Sequence, residues 1–214
     1  MNRLIRSTLI AASLLATGAA FVAQAGHYTY ATAILAQTEN SVNREFMHVI
    51  NARDQEGLRR LLDGGADANN TDDKLVRPIH YASYLGNLPA TRTLIQSGAD
   101  VHATAAGGWS TLHYAAYGGH HEVGRLLLAM GVEADVTDVG GETPLFYAVE
   151  SGSIKIIRLL VENGANPKHK NGKGETPMDI AGHHGNPAIV EYLSKYGAST
   201  GAGGTVDGHT DHTH

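Results

Sequence analysis

Three imidazoles and a carboxylate fall within six residues at the end of the chain, at His209, Asp211, His212 and His214. Neutral imidazole suits Zn, Cu and Ni alike, and a glycine-rich backbone lets ligands converge, so this stretch could chelate such a metal weakly. Without cysteine or partners that orient the rings it is not a preformed structural site. His183 and His184 make a second pair, which with Glu150 could form a polar contact or a looser metal site. The stretches nearest to catalytic motifs fail on spacing. His121-Glu122 begins a metalloprotease-like run, but Arg125 stands where the second metal ligand belongs. The run Lys170–Thr176 has its glycines at the wrong intervals for a phosphate loop. No Gly-x-Ser-x-Gly elbow occurs, and the scattered Asp and Glu residues form no acid/base pair. The sequence therefore predicts a protein that is not an enzyme and has no cofactor beyond weak Zn, Cu or Ni binding by the tail.

What positions these groups is a period. Gly65, Gly98, Gly131, Gly164 and Gly197 follow one another at intervals of 33 residues, each behind a run such as Leu61-Leu62-Asp63-Gly64 or Leu160-Val161-Glu162-Asn163. A fixed interval of that size marks a solenoid of stacked repeats. A second column, Gly86, Gly119, Gly152 and Gly185, ends a first helix in each unit and turns the chain back. The helix starts read Arg77-Pro78-Ile79-His80, Ser110-Thr111-Leu112-His113, Thr143-Pro144-Leu145-Phe146 and Thr176-Pro177-Met178-Asp179. Ser or Thr there is predicted to accept a backbone N–H as a cap, and Pro is tolerated at the first helical position. Ala82, Ala115, Ala148 and Ala181 fall where neighbouring helices approach closely. Asp179 and Ser194 put polar groups where a solvent-facing terminal unit requires them.

Sixteen Lys and Arg against 21 Asp and Glu give a net charge of −5, with no basic run, which argues against nucleic acid as a partner. Residues 1–25 read as a signal peptide: Arg3 and Arg6 precede an apolar stretch from Leu9 to Val22 and the small-residue site Ala23-Gln24-Ala25. Cleavage before Gly26 leaves no stable membrane insertion; the alternative is an uncleaved anchor, since Ser7 to Ala25 carries no charge. The short charged region suits a bacterial Sec signal and a periplasmic location, with secretion as the alternative. Absence of cysteine is compatible with an oxidising compartment.

The periodic motifs resemble the ankyrin repeat, with its Asp and Gly turn, Thr-Pro-Leu-His, paired Ala, Gly-His, Leu-Leu and Gly-Ala-Asp. The unit from Val136 shows most of them: Asp138, Gly141, Thr143-Pro144-Leu145, Ala148, Gly152, Leu159-Leu160 and Gly164-Ala165-Asn166. The resemblance implies an all-α ankyrin solenoid over 43–199, with a cap at 43–69 and repeats at 70–102, 103–135, 136–168 and 169–199. A leader, 26–42, precedes it, and by composition 200–214 is a flexible Gly/His-rich tail. The resemblance also implies structural hydrogen bonding by His80 and His113, and a concave binding face made of turn tips and first-helix ends.

Carried over position by position, that face comprises Lys74, Val76, Tyr84 and Leu85; Gly107, Trp109, Tyr117 and Gly118; Gly140, Glu142, Glu150 and Ser151; and Lys173, Glu175, His183 and His184. Trp109, Tyr84 and Tyr117 are the expected apolar anchors, although Trp109 has the alternative of packing onto its neighbouring turn. Glu142, Glu150 and Glu175 would set charge preference at the rim. The function implied is a non-catalytic protein-binding module of the cell envelope, partner unknown. Two alternatives stand beside it: extracytoplasmic metal handling by the tail, and a secreted factor acting on a host cell.

Overall fold

Proline leaves no N–H unpaired in the first turn of a helix and holds φ at about −65°, so it suits a helix start. The protein's computed structural model describes residues 42–196, and Pro78, Pro144 and Pro177 each open a helix there. The helices run in pairs: α1 (42–51) with α2 (Gln55–Asp63), α3 (Pro78–Tyr84) with α4 (Leu88–Gln96), and α5 (Thr111–Tyr117) with α6 (His121–Ala129). The series continues with α7 (Pro144–Glu150) and α8 (Ile154–Glu162), then α9 (Pro177–His183) and α10 (Pro187–Ser194). The described residues contain no strand, only an isolated antiparallel bridge between Thr104 and Ser110. The architecture is the all-α repeat solenoid that the period predicts.

From α3 onward each first helix has only seven residues, too few to persist alone in water. Stacking holds them: α3 packs on α5, α5 on α7 and α7 on α9. Ile79, Leu112 and Leu145 are fully buried along this stack, and so are Ala82, Ala115, Ala148 and Ala181, where a larger side chain would force the helices apart. Leu94, Leu127, Leu160 and Leu193 form the matching column in the second helices. Burying one such Leu contributes roughly 1.5–3 kcal/mol, realised only when the neighbouring unit is in place. Gly98 and Gly164, after α4 and α8, have φ of 86° and 95° with nothing within 4 Å of where a Cβ would sit. The demand for glycine there is backbone sterics alone.

Polar side chains tie each unit to the next. His80 accepts the Arg77 N–H at Nδ1 (3.0 Å) and donates from Nε2 to the Ala103 carbonyl (2.9 Å). His113 repeats this with the Ser110 N–H (3.0 Å) and the Glu142 carbonyl (3.1 Å). Because Nδ1 accepts, Nε2 carries the proton and both rings are neutral; burial lowers both pKa values. The structural role implied for these two histidines is what the structure displays. In the opposite direction, Asn87 donates to the Ile50 carbonyl (2.9 Å), Ser153 donates to Gly119 (3.2 Å), and His120 bonds the Tyr84 carbonyl.

Two helix starts differ from the sequence expectation. Ser110 and Thr176 cap α5 and α9, and their hydroxyls also bond the side chain three residues on, His113 Nδ1 (2.8 Å) and Asp179 Oδ2 (2.7 Å). Thr143 makes no capping bond, and its hydroxyl is buried without a partner. Phe146 occupies the reciprocal position, offers no acceptor to hold the hydroxyl in its capping rotamer, and packs edge-on to His169 instead. Asp179 is not solvent-facing as predicted. It is buried, and its carboxylate accepts both the N–H (2.8 Å) and the hydroxyl of Thr176, the task imidazole performs at Ser110. Ser194 is exposed, as expected of a terminal position.

Candidate functional site

The turn tips are built by one recurring bond pattern. Asp72, Asp138 and Asn171 each use a single side-chain oxygen to accept two backbone N–H groups, those of Lys74 and Val76 (2.8 and 2.9 Å), Gly140 and Glu142 (2.8 and 2.9 Å), and Lys173 and Glu175 (3.0 and 2.9 Å). Adjacent tips are then bonded to one another: the N–H groups of Ala106, Val139 and Gly172 donate to the carbonyls of Lys74 (2.8 Å), Gly107 (2.9 Å) and Gly140 (2.7 Å). The tip residues Lys74, Val76, Trp109, Glu142 and Glu175 therefore sit on a pre-ordered edge, Lys74 exposed and the others half-buried.

Beside that edge, the ends of α3, α5 and α7 come together. Tyr84, Leu85, Tyr117, Gly118, His120, Glu150 and Ser151 line an open groove of about 510 Å³. Tyr84 and Tyr117 are 41% and 45% exposed, and their rings stack with centroids 6.0 Å apart and planes inclined by 18°. Each tyrosine keeps a large share of its area available for burial on association, already ordered against the other. His120 forms the floor. A Cβ on Gly118 would lie 2.5 Å from the Tyr84 carbonyl oxygen and closer still to the imidazole, so only glycine lets the ring pass beneath. Burial lowers the His120 pKa and keeps that ring neutral. Glu150 is exposed, and its pKa is raised by desolvation and by the carboxylate of Glu142.

Trp109 takes the packing alternative for most of its ring. It is half-buried, 4.3 Å from the Tyr147 ring centroid and in edge contact with Tyr114 (5.3 Å) and Tyr117 (5.7 Å). Behind it Tyr147 is buried and donates its hydroxyl to Asp138 (2.6 Å), and burial together with that carboxylate pushes the phenol pKa up. Glu142 and Glu175 both accept from the Asn171 amide (3.0 and 3.1 Å), so they brace the last turn as well as facing outward. Lys74, His183 and His184 are exposed and do not line the groove, although His184 is near enough to act on the Glu150 charge, and Val76 lines a separate small cleft with Met47 and Tyr81.

Leu75 was missed by the sequence reading. It is 54% exposed with φ of 57°, at the tip position where the other repeats place Gly108, Gly141 and Gly174. The signal was legible as the one non-glycine in that column. A leucine in this conformation costs roughly 1–2 kcal/mol. Among the described residues no group of three His, Cys, Asp or Glu could hold a metal ion, and the run His121-Glu122 closes into a surface ion pair of Glu122 with Arg125. His209, Asp211, His212 and His214 lie outside the described residues, as do 1–25 and most of the leader.

The family model described as Ankyrin repeats (3 copies) matches the chain at residues 46–138, 79–171 and 112–203, together most of its length. The chain belongs to the ankyrin repeat family. Ankyrin repeats are protein–protein interaction modules and are generally non-catalytic. Among curated proteins none matches this chain. No helix among the described residues of this ankyrin protein is long and apolar enough to cross a membrane.

Proposed function

We propose that the protein is a non-catalytic binding module of the cell envelope that holds a partner protein along the groove and the adjoining turn tips. The observation that carries this reading is the stacked, exposed Tyr84–Tyr117 pair on a scaffold already ordered by inter-repeat hydrogen bonds. Rigid aromatic anchors bury large area at small entropic cost, and a preformed surface avoids ordering on binding. Glu150 in the groove, with Glu142 and Glu175 on the adjoining turn tips, sets the charge preference of the partner. The envelope assignment is supported by the sequence of residues 1–25; cell fractionation that leaves the protein in the cytoplasm would overturn it.

The surface is tested by placing a photoreactive amino acid at position 117 or, as control, at the exposed position 155 on α8. Cross-links to one discrete protein from position 117 and none from position 155 are the expected result. Cross-links of equal yield from both positions would contradict the assignment.

A further inference from the structure

The groove carries a more specific chemistry than an apolar contact, and this inference rests on the proposed reading of that face as the partner-binding surface. Its lining holds two exposed phenol rings, one carboxylate and no cation. His120, the remaining titratable group besides the phenols, has its pKa lowered by burial and brings no positive charge near neutral pH. Among the described residues Glu150 forms no salt bridge. Lys173 and His184 act on it only at a distance, while desolvation and Glu142 work against its charged form. Glu150 is thus a carboxylate whose charge is under-compensated in the free protein.

A ring face carries negative electrostatic potential and attracts a cation, and a carboxylate beside it adds a full charge. A flat cation satisfies both at once. Guanidinium stacks on aromatic faces and donates two parallel N–H groups to a carboxylate, whereas an ammonium pairs with the carboxylate as a point charge and does not stack. An acidic side chain would be repelled, and a purely apolar one would cover Glu150 without giving it a partner. The overall charge of −5 also favours a basic partner. We propose that the groove receives an arginine side chain of the partner protein, its guanidinium lying against the Tyr84–Tyr117 pair and hydrogen-bonded to the Glu150 carboxylate.

The probe is N-acetylarginine N-methylamide, titrated into the full chain by heteronuclear NMR alongside its citrulline and glutamate counterparts. Citrulline has the shape of arginine without the charge. The arginine derivative alone should shift the signals of Tyr84, Tyr117 and Glu150 in a saturable way. Glu150→Gln and Tyr117→Ala should each weaken it at least tenfold, and Tyr117→Phe, which keeps the ring, should bind as well as the parent. Equal shifts from citrulline, shifts centred elsewhere, or none at all overturn the proposal. If the arginine titration is silent while position 117 still cross-links a partner indifferent to Glu150→Gln, the guanidinium assignment falls and the binding surface stands. If position 117 yields no selective cross-link either, both fall.

Discussion

The inter-repeat spine and the groove are built from similar polar and aromatic residues, often on the same seven-residue helix, yet they are treated in opposite ways. On α5, His113 is fully buried and both ring nitrogens are bonded, while Tyr117, one turn later, is 45% exposed, stacked on Tyr84 and meeting Trp109 and Tyr147 edge-on. Along the spine polar groups join one unit to the next: Asn87, Ser153 and His80 all reach a carbonyl of a neighbouring unit. In the groove Glu150 has no ion-pair partner among the described residues and the tyrosines leave 41% and 45% of their surface exposed. The difference separates residues that make the solenoid from residues the solenoid presents.

That separation predicts a hierarchy of effects. His113→Ala comes first. It leaves the Glu142 carbonyl and the Ser110 cap without their buried partner, and each such loss costs about 1–3 kcal/mol, so urea unfolding should show a destabilisation of about 3 kcal/mol. The pH dependence is next. The pKa values of His80, His113 and His120 are lowered in the folded protein from 6.5, so below about pH 6.5 the unfolded chain binds more protons than the native one. Stability should be flat above that pH, fall from there towards the folded pKa values, and level off below them. Urea midpoints between pH 8 and 5 check this, and a rise in stability on acidification would contradict it. His113→Ala should flatten part of the slope.

A smaller effect distinguishes two caps within the spine. Ser110→Ala removes a bonded cap and should cost about 1 kcal/mol. Thr143→Val removes a buried hydroxyl that bonds nothing and should be neutral or slightly stabilising in the same urea unfolding. Equal losses would mean that Thr143 has a partner and that the two helix starts are alike.

The spine was largely legible in the sequence because backbone geometry leaves a strict trace. Glycine at Gly98 and Gly164, proline at Pro78 and Pro177, and alanine at Ala115 and Ala148 each meet a steric demand that recurs every 33 residues. Side-chain partnerships leave a weaker one. That Thr143 caps nothing depends on Phe146 having no acceptor, and that Asp179 is buried depends on Thr176 supplying two donors. Neither follows from residue type alone. The candidate surface was legible as positions but not as chemistry. Carrying the repeat pattern over gave Tyr84, Tyr117 and Glu150, which the fold brings to one groove, but it weighted Trp109 as an anchor when much of that ring packs on Tyr147. Truncating Trp109 would disturb its contacts with Tyr114, Tyr117 and Tyr147, so Tyr84, whose one described ring contact is Tyr117, is the cleaner probe.

The central claim is that groove residues serve binding and not the fold. It is tested most directly by the affinity of the partner identified through position 117 for the parent protein and for Tyr84→Ala/Tyr117→Ala, each matched to its urea unfolding curve. The account predicts at least a tenfold loss of affinity in a variant that still unfolds cooperatively and loses less stability than His113→Ala. Unchanged affinity, or a loss explained by unfolding of the variant, would contradict it.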